Sequence, residues 1–212
     1  MTVVTGMHRV GLAAVGVGIV VVIGLDFASL DTVNPLHRTI SEHGLGAYGW
    51  VFGLGVAVLA AGSAAIGVTL ARTRLAGAVG TIAMMVWSVG LFMAATFPKA
   101  NWAVGPSMSG YVHRTASVVA FLALPLAALV IARPWRHKEG RRPALAAFCL
   151  GLGSLAWVAG IAAVIFLADR PWWQVMPLGL VERGLAVTEI AALIALGALA
   201  GQGRRVAIRS SM

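Results

Sequence analysis

The chain has 212 residues, 59% of them hydrophobic and only 11% charged, with a mean hydropathy of +0.90. A soluble domain of this length carries roughly twice that charged fraction, so a soluble globular fold is excluded. The net charge of +9 then has to be read against a membrane.

Apolar runs of bilayer length recur at about 10–30, 48–70, 77–97, 113–132, 144–168 and 180–200. Lipid tolerates no unpaired backbone, so a spanning chain must be helical or a closed barrel. No strand-like alternation is present. The fold class is therefore all-α: a polytopic membrane protein of six transmembrane helices forming one domain over residues 1–212.

His8 and Arg9 precede the first run as in a signal peptide. The run continues to Leu30 without a small-x-small cleavage site, which favours a span. Next comes "NPLHRTISEHG", residues 34–44, the densest polar segment so far. Pro35 suits the first position of a short interfacial helix, and Gly44 and Gly46 would end it. Such a helix would pair Arg38 with Glu42 and His37 with Ser41 at i,i+4.

The second and third runs are rich in Ala and Gly, residues that let spanning helices approach closely. "FP" at Phe97 and Pro98 ends the third, and His113 opens the fourth. "RPWRHKEGRR" at 133–142 lies between the fourth and fifth. It fits lipid headgroups, and no nucleic-acid partner is expected. The single cysteine, Cys149, excludes an intrachain disulfide and Cys-based zinc motifs; it reads as a small packing residue. Glu182 and Glu189 stand two turns apart on one face of the sixth run. Glu189 lies well inside that run, and an intramembrane carboxylate is costly enough to suggest function.

Six spans put both termini on one side. That side carries eleven basic residues and one acid, Glu139; the other carries five basic residues and six acids. The positive-inside bias predicts a multi-pass protein of the cell (inner) membrane with cytoplasmic termini. His37, His43 and His113 then fall on the outer half with most of the carboxylates. So do Trp50, Phe92, Phe97, Trp102, Trp172 and Trp173, which either mark the interface or line a pocket for a greasy ligand.

The outer connections also echo one another: "LHRT" at 36–39, "VHRT" at 112–115 and "VERG" at 181–184. This pattern suggests three repeated helical hairpins. It further predicts that segments 35–46, 97–114 and 169–183 converge, with His113 touching a carboxylate and Glu189 facing the interior.

"ISEHG", Phe97–Pro98, His113 and "GLVERG" together resemble the domain-of-unknown-function 998 family of small six-span, mainly bacterial membrane proteins. The resemblance covers most of the chain. It implies a six-span bundle and the importance of Ser41, Glu42, His113, Glu182 and Arg183, and supplies no activity. An acidic residue often follows the Phe-Pro in that family; Lys99 stands there here.

Two function classes remain in view. The first is an enzyme acting on a lipid or isoprenoid by acid–base chemistry, including proton-initiated cyclisation. Glu42, His113, Glu182 and Glu189 would be its catalytic groups. Arg38, Ser41, Arg114, Arg183, Trp102 and Trp172 would bind substrate. The second is a non-catalytic binding or accessory protein, or a transporter. A zinc site on His37, His43 and His113 lacks HxxH or HxxxH spacing, and a haem site lacks a second mid-span histidine, so no cofactor or metal is expected. The expected partners are a hydrophobic small molecule or lipid and the membrane itself. Oligomeric state is not legible.

Overall fold

The computed structural model describes residues 6–30, 34–101, 103–137 and 139–209, with side chains to Gln202. Among the described residues, six helices are long and apolar enough to cross a membrane. They are α1 (Met7–Ala28), α2 (Gly49–Arg72), α3 (Gly77–Thr96), α4 (Met108–Ile131), α5 (Arg141–Leu167) and α7 (Leu178–Arg209). A single turn, α6 (Trp172–Val175), precedes α7. No strand occurs among the described residues.

The largest shift at the start of an expected span is at α4, which begins at Met108. Ser107 accounts for it: its side chain accepts a hydrogen bond from the Gly110 amide at 3.0 Å, capping the new first turn. The even number of spans places both termini at one end of the bundle. The opposite, distal end carries the connections after α1, α3 and α5.

Successive spans pack on one another, and α7 also meets α1, α2 and α4, so it occupies the centre. Its sequence fits that place: Leu185, Ala192, Leu193, Leu196, Leu199 and Ala200 are all buried. By contrast, α5 buries only Ala144, Ala147, Gly151 and Ser154, all in its first half. Cys149 is exposed on this helix, which corrects its reading as a packing residue. Van der Waals packing rather than water exclusion joins helices in lipid. Glycines permit the closest contact, between α1 and α2. A Cβ on Gly11 would lie 2.8 Å from the Gly62 carbonyl oxygen, and one on Gly18 would lie 2.8 Å from that of Gly55. Between α2 and α3, the buried Trp87 donates its indole N–H to Ser63 Oγ at 3.1 Å.

The three hairpins pack as pairs, but only two of their three sequence echoes occupy comparable places. His37 lies exposed in a connection, whereas His113 and Glu182 each stand in the second turn of their helices, α4 and α7. The first hairpin therefore does not share the arrangement of the other two.

Candidate functional site: a distal charge clasp and a buried carboxyl

The distal end is organised by the connection from α1 to α2. Its helix is shorter and later than expected: a 3-10 turn over Ile40–Leu45, with Thr39 at the N-cap and Gly46 at the C-cap. Thr39 and Glu42 have capping-box spacing, yet the Thr39 side chain makes no cap bond. Glu182 of α7 takes that role. Its Oε2 accepts the Ile40 amide at 2.6 Å, with the Ser41 amide also turned to it.

The same connection caps α7 in return. The Leu180 amide donates to the Leu36 carbonyl at 3.0 Å, satisfying a group that the start of a helix leaves unpaired. A Cβ on Gly179 would collide with the carbonyl oxygens of Pro35 and Arg38, so only glycine allows this approach.

Arg183 fastens the clasp. Its Nε and Nη2 donate to the two Asp26 oxygens at 3.1 and 2.5 Å, a bidentate pair. Its Nη1 donates to the carbonyls of Pro35 and Arg38, each at 2.8 Å. Asp26 Oδ1 also meets Nε2 of the buried His43 at 2.8 Å. One carboxylate near the distal end of α1 thus joins α7 to the connection between α1 and α2.

A second group lies beside it. Arg38 Nη1 donates to Glu42 Oε2 at 2.9 Å, the expected i,i+4 pair. Lys99, from the next connection, donates to Thr39 Oγ1 at 2.8 Å and lies 3.4 Å from Glu42 Oε1. Lys99 therefore links two connections. Ser41 meets Thr39 at 3.1 Å rather than pairing with His37.

The histidine expectation is corrected. His113 donates Nδ1–H to the carbonyls of Ala94 and Phe97, at 3.0 and 2.8 Å, and so closes the end of α3. None of the ion pairs among the described residues includes it. Helix-end carbonyls have no intrahelical donor, and they claimed the ring. His113→Ala is expected to cost about 1–2 kcal/mol, read as a lowered melting temperature in detergent.

The remaining site residues stand apart. Arg114 is exposed, and Trp172 packs edge-on against Trp173. Asp169 and Arg170 are exposed, so the third connection does not join the clasp through them. Trp102 lies outside the described residues. No group of His, Cys, Asp and Glu suited to a metal forms among the described residues.

Glu189 differs from all of these. It faces the interior, fully buried, and accepts one hydrogen bond, from Ser154 Oγ of α5 at 2.9 Å. Its other oxygen has no partner. An apolar groove of about 500 Å³ runs between α5 and the start of α7. Gly153, Trp157, Gly160, Val164, Met176 and Val181 line it. A second groove of about 670 Å³ lies between α2 and α3, beside Trp50 and Gly53. Neither is lined by a charged residue.

Sequence reading missed Asp26 and His43 as organising residues. Asp26 sits at the end of an apolar run, where an acid at the interface is unremarkable, and its partner Arg183 is 157 positions away. No curated protein and no solved structure matches the chain. A family model matches residues 12–199, and the chain belongs to that family, described as a protein of unknown function (DUF998).

Proposed function

We propose that this membrane protein binds a lipid or isoprenoid within the bilayer and acts on it by acid–base chemistry, with Glu189 as the proton-exchanging group. One observation carries the reading: a fully buried mid-span carboxyl held by a single hydroxyl, with its second oxygen unpartnered. Ion pairing stabilises Asp26 and Glu42; Glu189 has no cation within 4.0 Å among the described residues. Such a group is expensive in a membrane unless it is used. Glu42, Glu182, Arg38 and Arg183 are proposed as positioning residues, because their hydrogen bonds are spent on the clasp.

The test compares lipid extracts of cells lacking the protein, cells expressing it, and cells expressing Glu189→Gln. The variant is expected to reproduce the lipid profile of the null cells while accumulating normally in the membrane. A profile identical to that of wild-type cells would overturn the assignment.

We also propose that the termini are cytoplasmic, from the eleven-to-five division of basic residues. Ser107 and Glu139 are exposed at opposite ends of the bundle. In a Cys149→Ser background, Ser107→Cys is expected to react with an impermeant thiol reagent on intact cells, and Glu139→Cys is not. The reverse pattern would invert the orientation.

A further inference from the structure

We propose that the groove between α5 and α7 holds one acyl chain of a zwitterionic phospholipid, with the phosphate on Arg170 and the headgroup ammonium on Asp169. The proposal rests on the lipid reading above and narrows its ligand.

The groove extends along α5 from Gly153 to Val164, eleven residues or about 16 Å of helix. That length suits a hydrocarbon chain lying along one leaflet. Its wall is open for a physical reason. Gly153 and Gly160, two turns apart, have nothing within 4 Å of where a Cβ would stand. Its floor is fixed: Trp157 packs so closely on Gly184 that a Cβ there would meet the indole at 2.4 Å.. Val175, Met176 and Pro177 line its other side, and every lining side chain is apolar.

The head of the ligand follows from the charges in the connection above. Asp169 and Arg170 lie between Val164 and Val175, both exposed. No ion pair among the described residues uses either one. Every other charged side chain described at this end except Arg114 is tied into the clasp. A guanidinium matches a phosphate, and the adjacent carboxylate disfavours a purely anionic head while matching an ammonium.

The experiment is native mass spectrometry of the protein released from vesicles containing equal phosphatidylethanolamine and phosphatidylglycerol with a minor polyprenyl phosphate. One phosphatidylethanolamine is expected to remain bound. Gly160→Leu, whose Cβ meets nothing within 4 Å and whose side chain enters the groove, is expected to lower its occupancy at least about fivefold; Gly16→Leu, equally open at its Cβ on α1, is not. Arg170→Ala and Asp169→Ala should each weaken the preference for this head. Retention of phosphatidylglycerol or the polyprenyl phosphate instead would overturn the headgroup assignment, and equal occupancy in Gly160→Leu would overturn the groove. The two readings fail separately. If Glu189→Gln changes the cellular lipid profile while Gly160→Leu does not change lipid occupancy, the site is wrong and the acid–base reading stands.

Discussion

Asp26→Ala is expected to lower the stability of the folded bundle by about 2–3 kcal/mol. Removing one member of a fully buried ion pair costs roughly 3–5 kcal/mol, because the surviving charge is left without compensation. Here the pair is partly open, with Asp26 and Arg183 side chains 25% and 18% exposed, so the cost is smaller. The loss extends beyond one contact, since Asp26 also holds His43. Thermal melting in a single detergent should place Asp26→Ala well below the wild type. Arg183→Met in the same background should restore part of the loss, because it removes the stranded guanidinium.

Gly62→Leu is expected to be at least as damaging, by about 3 kcal/mol or more, since overpacking a tight contact forces backbone to move. Even a Cβ at this position would lie 2.6 Å from the Gly11 carbonyl oxygen and 2.9 Å from the Val15 amide nitrogen. Neither atom belongs to a side chain that can rotate away. The spans would have to separate, and with them the end of α1 that presents Asp26. Gly16→Leu is the control, with open space at its Cβ. A Gly62→Leu protein that melts with the wild type would remove the close α1–α2 contact from the fold.

The helices were legible because a bilayer fixes their length and composition. Glu189 was legible for the same reason: a carboxylate inside an apolar run is anomalous wherever its partners lie. Partner choice was not legible. His113 and Glu182 are both polar groups near helix starts, and sequence favoured pairing them with opposite charges. The fold gave each to a backbone instead, His113 to the end of α3 and Glu182 to the start of the 3-10 turn. Unpaired backbone groups at helix ends compete with ionic partners on equal terms, and which end comes near depends on tertiary approach. The Asp26–Arg183 pair was hidden likewise, since only the packing of α1 beside α7 brings the two together.

The proposed division of labour between a stabilising clasp and a functional Glu189 is tested most directly by the melting temperature of Glu189→Leu. A carboxyl kept for function, with one oxygen unpartnered, adds nothing to stability, and an apolar residue of similar volume in its place is neutral or stabilising. Ser154 retains the option, open to any helical serine, of turning to the carbonyl one turn before it. Glu189→Leu is therefore expected to melt at or above the wild-type temperature in the same detergent, while Asp26→Ala melts well below it. A Glu189→Leu protein destabilised as much as Asp26→Ala would make Glu189 a structural residue and contradict this account.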